Sequence, residues 1–91
     1  MANTNVITAL NATNYNGRFD YQGTVGSFNA NGQKILQNIN GSKEGYGSFE
    51  AYRSEEGFEY NPHFSDPTKA ADRIATMIAA IEAVQYELNE D

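Results

Sequence analysis

Few residues in this chain carry chemistry. Its 91 residues include no cysteine and a single histidine. Disulfides, thiolate metal sites and a cysteine nucleophile are therefore excluded. His63 lies three residues before Asp66, a pair that could share a proton or offer two ligands to a metal. Two ligands fall short of the three or four protein groups that hold zinc. The plainer reading is a loop imidazole bonded to backbone or to the nearby carboxylate. Glu55 and Glu56 could pass for an acid and a base, but neighbours at a hairpin tip point apart and stay solvated, so neither is tuned for proton transfer. Ser27 and Ser48 each follow a glycine within strand-like runs, away from the strand-to-helix turn that exposes a nucleophilic serine. Gly23-x-x-Gly26 precedes another strand, and no G-K-[ST] follows to cradle phosphate. The expectation is a protein that is not an enzyme and has no cofactor or metal site.

The aromatic residues are more informative. Six tyrosines and five phenylalanines are many for this length. Exposed aromatics on a sheet can stack bases, but such platforms need cationic surroundings. Here Tyr46 and Tyr52 flank Glu50, with Glu55 and Glu56 just beyond. A protein interface suits that mixture better, because tyrosine gives rigid contact area and carboxylates steer a basic partner. An ordinary solvated sheet face, with tyrosine favoured by strand propensity, would look the same in sequence. The candidate partner-binding residues are Tyr46, Glu50, Tyr52, Glu55 and Glu56.

Charge placement agrees. The formal net charge is −6. Residues 1–43 hold only Asp20 against Arg18, Lys34 and Lys43; residues 44–91 hold eleven acids against Arg53, Lys69 and Arg73, a balance of −8. Direct nucleic-acid binding is disfavoured, since neutralising phosphates takes Lys and Arg. A basic protein partner is allowed. No apolar run is long enough to span a membrane. The N-terminus lacks the pattern of a secretory signal, which sets a cytoplasmic expectation. Asn11-Ala12-Thr13 and Asn40-Gly41-Ser42 match the glycosylation acceptor pattern, and in that setting both are accidents of asparagine content.

The elements that must position these residues are legible from periodicity. The last quarter of the chain reads as one amphipathic helix, about 66–88. Ser65-Asp66-Pro67 supplies a side-chain oxygen to cap the first turn, Asp66 suits the positive end of the macrodipole, and Pro67 suits the first helical position. Ala70, Ile74, Met77, Ile78, Ile81, Val84 and Leu88 form one apolar stripe, with Gln85 interrupting it. Such a stripe needs a second layer. Val6–Leu10 reads as a strand, with a short helix as the alternative, and residues 1–4 as a frayed tail. Asn16-Gly17, Asn31-Gly32 and Asn40-Gly41 separate alternating runs and signal type I′ hairpins. One run carries Phe19 and Tyr21 on one face. Another, Gln33–Ile39, carries Ile35, Gln37 and Ile39 on one side.

A pattern G-S-F-x-A recurs at 26–30 and 47–51, as expected of two equivalent hairpins in one sheet. Phe19, Tyr21 and Val25 are odd-numbered, whereas Phe28 and Ala30 are even. A bulge near Gly23 or Gly26 would reconcile them. Ser54-Glu55-Glu56-Gly57 reads as a turn. Phe49, Ala51, Phe58 and Tyr60 should face the helix, leaving Tyr46, Ser48, Glu50 and Tyr52 outward. Pro62 should end the last strand, with 61–64 as the crossing loop. The fold expectation is a single two-layer α+β domain over 1–91: an antiparallel β-meander of about five strands, joined by Asn-Gly turns and packed on one face by the C-terminal helix.

Together these features predict a small acidic protein-binding module. Its sharpest form is an inhibitor occupying the basic nucleic-acid-binding surface of a nuclease or defence complex, as phage-encoded anti-defence (anti-CRISPR-like) proteins do. That is an analogy from size, acidity and missing catalytic groups. The alternative is a self-associating structural or assembly subunit. It would pair through a sheet edge or as a homodimer through the helix face bearing Ala79, Ala83 and Tyr86, although alanine there is also simply a good helix former.

Overall fold

The structure, a computed structural model, describes residues 6–11 and 13–90. The expected tail at 1–4 lies outside them. Six strands form one antiparallel meander in the order β1-β2-β3-β4-β5-β6. These are β1 (Ile7–Asn11), β2 (Asn16–Tyr21), β3 (Thr24–Ala30), β4 (Leu36–Lys43), β5 (Gly47–Ser54) and β6 (Gly57–Phe64). A 3-10 turn at Pro67–Lys69 then leads into the helix α1 (Ala70–Glu90), which packs on one face of the sheet. The α+β two-layer expectation holds, with one strand more than anticipated.

The helix starts as its sequence dictates. Asp66 accepts the Thr68 N–H at 3.1 Å, and Pro67 sits where no N–H is needed. Its buried line is Arg73, Met77, Ala80, Ile81, Val84 and Leu88, while Ile74 and Ile78 are half-buried on the flank. Burial of Met77, Ile81, Val84 and Leu88 contributes about 1.5–3 kcal/mol each, so this seam dominates the attachment of helix to sheet. Gln85 is a clamp rather than an interruption. Its Oε1 accepts the Leu36 N–H at 2.9 Å and its Nε2 donates to the Lys34 carbonyl at 2.8 Å, tying the β3–β4 loop to α1.

Across the sheet, Phe19, Gly26, Gly41, Phe49 and Pro62 are successive cross-strand partners. The two phenyl rings converge over Gly41: a Cβ there would lie 3.0 Å from both Phe19 and Phe49. The next row is Gly17, Phe28, Ile39, Ala51 and Tyr60. The repeated G-S-F-x-A segments lie in β3 and β5, and both place Phe and Ala in the core. Their glycines share a purpose. A side chain on Gly26 would collide with the carbonyl oxygen of Asn40, and one on Gly47 with that of His63. In each case the obstacle precedes the cross-strand partner, Gly41 or Phe64. The motif therefore marks a close backbone approach followed by a core aromatic.

Several turns depart from the Asn-Gly expectation. Asn16-Gly17 belongs to β2, because Asn11 builds the preceding turn: its side chain accepts the Thr13 N–H and its carbonyl the Tyr15 N–H. Asn40-Gly41 lies inside β4, with Gly41 in the core. Asn31 does open a turn, but through its side chain, which accepts from Gln33 and Ile35 N–H while Lys34 takes the positive φ of 65°. No register shift interrupts β2–β3, so the bulge expected at Gly23 or Gly26 is absent there. Gln22 and Gly23 form a two-residue turn with φ of 53° and 93°. Pairing Tyr21 with Thr24 across it switches the parity by itself, so Val25 points outward. Register shifts fall instead in β1 and where Ala30 pairs with Leu36. The second of these buries Leu36 with Ile39 and leaves Ile35 exposed. Pro62 does not end a strand. It sits within β6, an edge strand, where a missing N–H is tolerated.

Two substitutions test this packing. Gly26→Ala should lower unfolding free energy by about 2–4 kcal/mol in a denaturant titration, because the obstacle is backbone. Gly32→Ala, with nothing within 4 Å, should change it by less than about 0.5 kcal/mol. Glu87 accepts the N–H of Val6 at 2.6 Å and of Ile7 at 2.9 Å. Glu87→Ala should cost about 1–3 kcal/mol and deprotect β1 amides before those of β3–β5 in hydrogen exchange.

Candidate functional site

The β5–β6 hairpin gathers most of the candidate residues. Phe49 and Ala51 turn inward, so Ser48, Glu50 and Tyr52 turn outward by alternation. Glu50 pairs with Asn61 and Tyr52 with Glu59, which puts Glu59 on the same outer face. The tip is built by Ser54. Its Oγ accepts the Glu56 N–H at 3.3 Å and donates to the Gly57 carbonyl at 3.1 Å, while Gly57 takes a φ of 120°. Glu55 and Glu56 are left exposed at the end. Tyr52, 44% exposed, donates its hydroxyl to Glu59 at 2.9 Å. That hydrogen bond, and then the carboxylate's charge, push the Tyr52 phenol above its usual pKa. The result is a tyrosine held upright by one carboxylate, with three more carboxylates on the same hairpin.

The cation on this hairpin is turned the other way. Arg53 Nε donates to the Leu36 carbonyl at 2.7 Å, and its guanidinium lies 4.7 Å from the Phe58 ring centre on the helix side. Lys43 and Arg73 likewise lie over an aromatic ring, that of Tyr46, at 4.5 and 4.6 Å. Aromatic faces attract cations by their quadrupole. Here they draw three positive charges to the margin between sheet and helix.

Tyr46 therefore leaves the candidate surface. It lies in the β4–β5 turn rather than on the outer face, bracketed by Lys43 and by Arg73 from α1. Its carbonyl accepts the Ser65 N–H at 3.0 Å, and the following Gly47 has φ 114°. Only glycine makes that reversal at low cost, and it moves Tyr46 out of strand alternation. A polar Arg73 four residues before Met77 on the apolar stripe was the available signal. Glu59 was also legible, because a turn at 54–57 forces Tyr52 opposite residue 59.

The remaining sequence candidates separate. His63 pairs with Ser48 on the outer side of β6, whereas Asp66 caps the helix and takes both the Thr68 hydroxyl and N–H. Those bonds hold the Asp66 carboxyl below its usual pKa. Phe58 packs against the core, but Tyr60, on the same side of β6, is 40% exposed and stacks on Phe58 at 6.2 Å. On α1, Ala79 and Ala83 are half-buried, Ala83 against the core, while Tyr86 is 62% exposed. Among the described residues no three of His, Asp and Glu converge as metal ligands, and no helix is long and apolar enough to cross a membrane. No protein-family model, no curated protein and no solved structure matches this chain.

The Tyr52–Glu59 contact has a pH signature. A raised folded pKa means that its contribution to stability is present below about pH 10 and lost as pH rises through the raised value. NMR titration of the tyrosine ring carbons should show Tyr52 deprotonating above pH 10, and Glu59→Gln should bring its midpoint down. An unchanged midpoint in that variant would dissociate the two groups.

Proposed function

We propose that this chain is a small acidic protein-binding module without catalytic activity, and that it docks through the outer face of the β5–β6 hairpin onto a basic surface. One observation carries the reading. Tyr52 donates to Glu59 on the outer face, where Glu50 also points, and Glu55 and Glu56 are exposed at the tip of the same hairpin, while Arg53 is tethered on the helix side. An exposed tyrosine on a hairpin carrying four carboxylates suits a partner rich in Lys and Arg. Tyrosine supplies the anchoring contact, and the charges raise the association rate and set the salt dependence.

The partner class that best fits this chemistry is a nucleic-acid-binding protein such as a nuclease, whose groove is basic for its own substrate. Occupying that groove would make this chain an inhibitor of the anti-defence kind. The competition is then direct, since phosphates and these carboxylates seek the same side chains.

The test is capture of a partner from host lysate by the wild type and by Glu50→Lys/Glu55→Lys/Glu56→Lys. Wild-type binding should weaken as salt rises and be displaced by added duplex nucleic acid, and the triple variant should bind at least about tenfold more weakly. Equal retention of the same partner by both proteins would remove the hairpin from the interface.

A further inference from the structure

The chain contains three Asn-Gly steps, at 16–17, 31–32 and 40–41. Such a step can react with itself, because the glycine nitrogen can attack the asparagine side-chain carbonyl carbon and close a five-membered ring. Glycine has no side chain to hinder that approach. The reaction needs a glycine N–H released from hydrogen bonding and a backbone free to bend. The fold meets those needs unequally at the three steps.

Asn16-Gly17 lies in β2 and Asn40-Gly41 in β4. Both are interior strands, paired on each side at these glycines: Gly17 with Leu10 and Phe28, Gly41 with Gly26 and Phe49. A glycine N–H there is committed to the ladder, and only opening of the sheet frees it. Asn31-Gly32 lies instead in the β3–β4 loop. Among the described residues nothing accepts the Gly32 N–H, and nothing lies within 4 Å of the place a Cβ would take. The Asn31 carboxamide is also held for attack. Its Oδ1 accepts the Gln33 N–H at 2.9 Å and the Ile35 N–H at 3.1 Å. That oxygen gains negative charge as a nitrogen adds to Cγ, and two backbone donors stabilise it as an oxyanion hole does.

We propose that Asn31 is a site of intramolecular deamidation through a succinimide. The bond from the Gly32 nitrogen to Asn31 Cγ forms and the Cγ–Nδ2 bond breaks. Ammonia leaves with the proton given up by the Gly32 nitrogen. Water then opens the ring at either carbonyl, giving aspartate or isoaspartate at position 31, and both add a negative charge. Isoaspartate also routes the main chain through Cβ and Cγ. It lengthens the turn that presents the Lys34 carbonyl and the Leu36 N–H to Gln85, and so loosens the clamp on α1.

The experiment is incubation of the intact protein at mildly alkaline pH, followed by trypsin digestion and mass spectrometry. Cleavage after Arg18, Lys34 and Lys43 puts each Asn-Gly step in its own peptide, 1–18, 19–34 and 35–43. In the native protein, position 31 should deamidate at least about tenfold faster than positions 16 and 40. In urea the other two should catch up. Gly32→Ala, for which the loop has room, should slow position 31 several-fold. Native rates that are equal at all three steps, or fastest at 16 or 40, would overturn the proposal, as would an unchanged rate in Gly32→Ala. The isoaspartate form, separated by anion exchange, should exchange its Leu36 amide several-fold faster. Unchanged exchange there would overturn the link to Gln85.

Discussion

Everything in this fold follows from having one helix to cover a six-stranded sheet. Only one face can be buried, so each strand must sort its residues cleanly between α1 and water. The inner face does so by contrast in size. Phe19 and Phe49 flank Gly26 and Gly41 in one cross-strand row; both rings close on the space beside Gly41, and the Asn40 carbonyl occupies that beside Gly26. A layer made this level lets Met77, Ala80, Ile81, Val84 and Leu88 pack close against it. Larger residues at the glycine positions would lift the helix away. The domain is small enough that losing this one seam would leave no second core to fall back on.

One-sided burial also explains where the charges go. Cations with long apolar stems can lie along the edge of a core and rest on its aromatic rings. Arg53 on Phe58, and Lys43 and Arg73 on Tyr46, take that option. Carboxylates have short stems and gain nothing from a ring face, so Glu50, Glu55, Glu56 and Glu59 remain in water. An acidic hairpin surface thus emerges from packing preferences, even though Arg53 sits among the glutamates in sequence. Charge counting along the chain would place Arg53 beside its neighbours. The fold puts it on the other side.

What could be read from the sequence was whatever depended on long periodicity. The helix, its Asp66–Pro67 start, the two-layer architecture and the inward Phe49 and Ala51 all follow from repeating patterns. Single-residue features were harder. Gln22 at positive φ carries no glycine or asparagine flag, so parity alone points to a bulge where the two-residue turn Gln22-Gly23 makes the switch. Asn-Gly proved ambiguous because asparagine can turn the chain with its side chain, as Asn11 and Asn31 do, or simply sit in a strand, as Asn16 and Asn40 do. For the surface, Glu50, Tyr52, Glu55 and Glu56 followed from alternation and the turn. Tyr46 did not, because its position depends on the reversal at Gly47 and on an arginine arriving from α1.

The central claim is that packing moves positive charge toward the helix side and leaves the outer hairpin negative. NMR relaxation by matched cationic and anionic paramagnetic cosolutes reads that difference amide by amide. The cationic probe should relax residues 50–59 several-fold more than the anionic one at low salt, with a smaller ratio around Arg18 on β2. Equal relaxation by both probes along the hairpin would contradict the account.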